Sequence, residues 1–170
     1  VNLPREPDRV ARRALLALEI GDGLILPALP LEAALLALGL PRSELVLERG
    51  RAVRLGDRRI ATDAAGRVLV VHRGPSETID RVSLAAFLAG ARPRGGVAGR
   101  AVFVGATAES LGDVGATPLD ADAPGAETLA AVTAQILEGR SIDDGPAAQA
   151  ATAALALPDR KSTRLNSSHT

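Results

Sequence analysis

The residues best suited to chemistry lie between Gly105 and Pro118, in the run GATAESLGDVGATP. Hydroxyls (Thr107, Ser110, Thr117) and carboxylates (Glu109, Asp113) alternate there with glycines that let the backbone turn. Such a set can hydrogen-bond a small polar ligand. The run follows Ala101-Val102-Phe103-Val104, a wholly apolar stretch of the kind buried on both faces of a sheet. A loop leaving the C-terminal end of a strand is the usual ligand position in an α/β sheet. Thr107, Asp113 and Thr117 are therefore the candidate ligand-binding residues. A structural alternative stands beside this: Gly105 and Gly112 set backbone turns, while Thr107 and Asp113 cap loop and helix ends through side-chain to backbone bonds.

Other chemistries fail on spacing. VFVGATA looks like a strand entering a dinucleotide turn, but no glycine follows Gly105 until Gly112, so G-x-G-x-x-G is absent. No G-x-x-x-x-G-K-[ST] occurs. His72 is the only histidine before the last eleven residues, and no G-x-S-x-G elbow offers it a nucleophile, although Ser76 is near in sequence. Asp63, Asp113, Asp120 and Asp122 fit no calcium-loop pattern, and Asp143-Asp144 reads as turn chemistry. No catalytic constellation, cofactor or metal site is expected.

The elements that must position these residues follow from composition and period. The chain has 170 residues, 46% of them hydrophobic, enough for one domain with a core. Two Phe are its only aromatics, so that core is aliphatic and offers no base-stacking platform. Lys plus Arg balances Asp plus Glu at 20 each, which gives no electrostatic footprint for nucleic acid or an anionic membrane. Cysteine is absent, which excludes disulfides and thiolate metal sites.

Asp8 is placed to cap a helix through Ala17, with Val10, Ala14 and Ala17 on one face. Leu24–Leu26 reads as a short buried strand closed by Pro27. Pro30 opens a helix over Leu31–Leu38 that Gly39 caps. Leu45 to Val71 changes to strand period, with turns at Gly50 and Asp63–Gly66, and predicts a meander or paired hairpins. Ser83 caps a short helix ending near Gly90. Pro124 opens a helix whose Leu129, Val132, Thr133 and Ile136 form an i, i+3, i+4, i+7 stripe, with Gly139 at its end. The fold class is α/β: a mixed central sheet with flanking helices and a hairpin-rich segment.

No run reaches the ~20 apolar residues of a membrane span. Ala147 to Leu157 comes nearest, and residues 147–159 are expected to be the truncated start of one. Residues 160–170, RKSTRLNSSHT, contain the only Lys and break the composition of a chain that otherwise uses Arg alone; they are expected to be a non-native tail. Without that tail, 17 basic residues face 20 acidic ones.

Four blocks in order resemble the CHASE type 2 family, cyclase- and histidine-kinase-associated extracellular sensory domains. They are D-x-x-G-R-V-L-V-x-x-R-G-P at Asp63–Pro75, Val82 to Gly90, GRAVFVGATAESLGDVGATPL at Gly99–Leu119, and PGAETLAAVTAQILEG at Pro124–Gly139. A weaker echo extends upstream through Pro30–Gly39 and Leu55–Asp63. One position departs: Leu129 stands where the family often has His.

The resemblance implies a non-catalytic, extracytoplasmic sensor over residues 1–146, incomplete at its N-terminus. It implies a bacterial membrane receptor whose output module is a nucleotide cyclase, histidine kinase or Ser/Thr kinase, with membrane contact only through spans outside this chain. The implied partners are a small-molecule or envelope signal and a second copy in a homodimeric receptor, with no nucleic acid and no cofactor. Two other readings remain open: a nucleotide-binding or hydrolytic α/β enzyme domain, resting on the loop after Val104, and a dimerising module that uses the Leu129, Val132 and Ile136 stripe.

Overall fold

Leucine, isoleucine, valine and alanine side chains spread between Ala14 and Ile136 close around one core. The computed structural model describes residue 4 and residues 6–21, 23–74, 78–107 and 113–143. In chain order the strands and helices are β1 (Arg13–Leu15), β2 (Ala17–Ile20), β3 (Leu24–Pro27), α1 (Leu29–Leu38), β4 (Leu45–Glu48), β5 (Ala52–Leu55), β6 (Arg58–Ala61), β7 (Arg67–Leu69), α2 (Leu84–Leu88), β8 (Val114–Gly115), β9 (Ala123–Pro124) and α3 (Gly125–Leu137). A single 3-10 turn, Arg42–Glu44, precedes β4.

The α/β class and the hairpin-rich segment are present. Among the described residues the strands form four small antiparallel sheets: β1-β7, β2-β3, β4-β5-β6 and β8-β9. The predicted meander is β4-β5-β6, with Val53 opposite both Leu47 and Ile60. Its turn uses Gly50 at φ 67, a left-handed conformation that glycine adopts without strain.

Leu31, Ala34 and Leu35 of α1 and Val132 and Ile136 of α3 meet Leu16, Val53, Leu55, Ile60 and Val68 in the core. Helix α1 has Pro30 in its first turn and a left-handed Gly39 cap donating to Leu35 and Leu36 carbonyls, as its sequence predicts. The α3 stripe of Leu129, Val132, Thr133 and Ile136 is buried within the chain's own core, against α1. It is therefore not a surface for a second copy. Thr133 Oγ1 donates to Leu129 O at 3.0 Å within α3, and lies 3.4 Å from Pro30 O at the start of α1.

Three expectations are corrected. The helix from Asp8 to Ala17 is replaced by β1 and the start of β2. Asp8 Oδ1 accepts from Val10 N at 3.1 Å, a turn rather than a helix cap, and Arg9 has φ 66, which a right-handed helix excludes. Ala14 then pairs with Val68 across β1-β7, where burial of one strand face outweighs local spacing. The second correction concerns Ala101–Val104, which pairs with no strand among the described residues. Val102 and Val104 are 60% and 80% exposed. A run apolar on both faces needs covering on both, and the described residues supply neither. Leu24–Leu26 does form a strand, but its outer face is exposed rather than buried.

Candidate functional site

Where the chain leaves β7, it runs past the first two turns of α3, and a small cleft opens between them. His72, Arg73 and Gly74 line it from the strand exit, Glu127, Thr128 and Ala131 from α3, Thr117, Asp120 and Ala123 from the loop before α3, and Thr78 and Ile79 line it too. The space deep enough to hold water is about 20 Å³, room for about one molecule, and the cleft opens to solvent.

Each part of the lining has a local cause. The strand exit is fixed because Gln135, 1% exposed on α3, pairs with β7 as a neighbouring strand would. Its Oε1 accepts from Val71 N at 2.9 Å and its Nε2 donates to Leu69 O at 3.0 Å. The loop before α3 is folded tightly on Thr117. Asp120 N donates to Thr117 Oγ1 at 3.1 Å, and Thr117 N donates to Asp120 O at 2.7 Å. The short β8-β9 pairing, Val114 with Pro124 and Gly115 with Ala123, holds the ends of that loop.

His72 sits at the centre of this arrangement. The Ala11 carbonyl lies beside the ring, and Ala11 N donates to Ala116 O at 2.8 Å. Its Nε2 is buried without a hydrogen-bond partner. Burial holds the His72 pKa below its ordinary value of 6.5, against the opposing pull of the Ala11 carbonyl. Thr128 is 4% exposed. Arg73 is paired with Glu138, and that guanidinium, assisted by Arg140, holds the Glu138 carboxyl below its usual range.

The three sequence-predicted residues occupy different places. Thr117 lines the cleft, with its hydroxyl already engaged in the loop. Asp113 lies at the N-terminus of α3, where Gly125 N donates to its backbone oxygen at 2.6 Å. Its carboxylate packs against Gly125 in space that a Cβ would fill. Pro124 gives α3 no side-chain cap, so this carboxylate faces the positive end of the helix in its place. Gly105 completes the contact, because a Cβ there would fall 2.5 Å from Ala126 Cβ. Thr107 is exposed and is not part of the cleft wall. Glu109, Ser110 and Gly112 lie outside the described residues.

An acidic side chain on the helix N-terminus also answers the nucleotide reading. A phosphate would have to take the place where Asp113 already sits, against a like charge. His72, Asp120, Glu127 and Thr128 were not among the predicted site residues. The signals for them were a polar residue directly after an apolar strand, and polar side chains in the first turn of an otherwise apolar helix. Both patterns are common in ordinary helices and strand ends, and His72 and Asp120 were weighed only for catalysis and calcium binding, which their spacing does not support. Among the described residues no group of His, Asp and Glu is arranged to hold a metal ion.

A family model described as the CHASE2 domain matches residues 1–157. The chain belongs to the CHASE2 domain family. No curated protein and no solved structure matches it. CHASE2 domains are extracellular sensory domains of receptors, so the cleft belongs to a sensory module. No described helix of this CHASE2 domain is long and apolar enough to cross a membrane, and residues 147–170 lie outside the described residues.

Proposed function

We propose that this CHASE2 domain is the extracytoplasmic input module of a bacterial membrane receptor with a cyclase, histidine kinase or Ser/Thr kinase output, and that it reads its signal in the cleft between β7 and α3. The observation behind this is that buried polar atoms, His72 Nε2 foremost, line a cleft walled by the first half of α3. Buried polar groups in folded proteins are nearly always partnered, so one left open in a cleft points to a ligand.

The far end of the same helix is fastened to the sheets. Arg58 Nε approaches Leu137 O at 3.4 Å, Ser141 Oγ accepts from Ala61 N at 2.7 Å, and Arg73 pairs with Glu138. A ligand that binds one position of α3 more tightly than another shifts the receptor between output states by that difference in affinity. Thr117 shapes the cleft, and Asp113 positions the start of α3.

The test is the output of the intact receptor carrying Thr128→Val or His72→Gln. Altered cyclase or kinase output from a normally folded domain supports the reading. Wild-type output and wild-type signal response from both variants refutes it.

A further inference from the structure

The even charge balance of the whole chain hides an uneven distribution. Residues 81–107 hold four Arg and no Asp or Glu, whereas residues 108–159 hold one Arg, Arg140, against nine acidic residues. Three of the four Arg sit together after α2. Arg92, Arg94 and Arg100 are exposed, and Arg100 Nη1 donates to Arg94 O at 3.2 Å. Arg92 Nη1 donates to Phe87 O at 2.9 Å and to Ala91 O at 2.8 Å, and its guanidinium lies 4.3 Å from the centroid of the Phe87 ring. Among the described residues none of the three pairs with a carboxylate.

The same stretch exposes aliphatic surface. Leu84 and Leu88, four apart on one face of α2, are 60% and 78% exposed. Helix α2 buries none of its residues, and a helix of five residues does not persist in water without packing. A cationic cluster beside uncovered leucines calls for a cover that is both anionic and apolar.

We propose that α2 and the loop over residues 92–100 dock on an anionic phospholipid bilayer. Leu84 and Leu88 enter the headgroup region, and the three guanidiniums pair with lipid phosphates. This contact is separate from any span outside the chain. A second copy suits the face less well, because carboxylates it would offer, Glu19, Asp63 and Glu138, are already held by Arg49, Arg67 and Arg73. Nearness to a bilayer rests on the receptor reading, whereas vesicle binding is measured on the chain alone, so either can fail without the other.

The experiment is co-sedimentation of the 170-residue chain with vesicles of phosphatidylcholine alone, and of equal parts phosphatidylcholine and phosphatidylglycerol. Binding is expected only to the anionic vesicles, and it should disappear at about 1 M salt. Arg92→Gln, Arg94→Gln and Arg100→Gln together should weaken it about a hundredfold, since each Arg near an anionic surface contributes about fivefold. Leu84→Ser with Leu88→Ser should weaken it about tenfold. Both variants should melt as the wild type does, because these side chains are exposed. Arg160→Gln, Lys161→Gln and Arg164→Gln together, which neutralise the basic residues of the tail, should leave binding within about twofold.

The proposal is overturned by equal binding to both vesicles, by binding to neither, or by full binding of the triple Arg variant of the loop. It is also overturned if the tail variant alone abolishes binding. A dimer in sedimentation velocity that the leucine variant dissociates, with no vesicle binding, assigns the face to a second copy and overturns it as well.

Discussion

Gln135 occupies the open edge of β7, with its amide bonded to Val71 N and Leu69 O. Replacing it with Met keeps the volume and removes both bonds, leaving two partly buried backbone groups without partners. Gln135→Met should cost about 2–6 kcal/mol by urea unfolding, since each of the two orphaned groups costs about 1–3 kcal/mol. Two glycines give a paired contrast. Gly66 has φ 73 and a Cβ there would lie 2.8 Å from Ala17 O, whereas Gly139 has φ 64 and open space around it. Gly139→Ala should lose about 1 kcal/mol for the left-handed backbone alone, and Gly66→Ala clearly more.

His72 sets a pH dependence. Its folded-state pKa lies below 6.5, so the unfolded chain takes up a proton first as pH falls. The stabilising contribution is full above about pH 6.5 and is lost as pH drops through the folded-state value. At Asp63, burial pushes the carboxyl up, but bonds from the Arg67 and Ala65 backbone and the Arg67 guanidinium outweigh it, so the pKa lies below 3.8. Its loss, like that of Glu138, therefore comes only at more acidic pH. Urea midpoints should fall between about pH 7.5 and pH 5.5 in the wild type and change less in His72→Gln.

Among the elements, helices α1 and α3 and the meander were legible because their signals are local and agree with one another. Pro30, Gly39 and Gly139 mark helix ends, Gly50 marks a turn, and the α3 stripe has helical period. The first twenty residues were not legible. Val10, Ala14 and Ala17 satisfy a helical spacing, and only the distant Val68 makes Ala14 a strand residue. The site was half legible for the same reason. Of the three residues singled out in the glycine-rich loop only Thr117 lines the cleft, and His72, Glu127 and Thr128 become neighbours of that loop only when α3 packs beside β7. Burial also predicts the energetics of the elements. Ile136→Ala, in the core, should cost about 2–5 kcal/mol, whereas Leu88→Ala on α2, at 78% exposure, should change stability by less than about 0.5 kcal/mol.

For the whole molecule, α3 links the cleft to β6. Its first half walls the cleft, and its last turn is bonded to β6 and to the chain leaving β7. Val132 and Ile136 are fully buried against both helix and sheet residues, so under the proposed sensory reading a displacement of α3 would pass through a closely packed body. The largely exposed run Ala101–Val104 and α2 lie outside that body.

The most direct test is the output of the intact receptor carrying Thr128→Val together with Glu127→Gln, measured beside the melting temperature of the same variant of this chain. The account predicts output changed at least about threefold, because a two-state equilibrium biased by about 0.7 kcal/mol shifts by that factor, with folding preserved. Wild-type output and wild-type signal response, in a variant that melts normally, would contradict it.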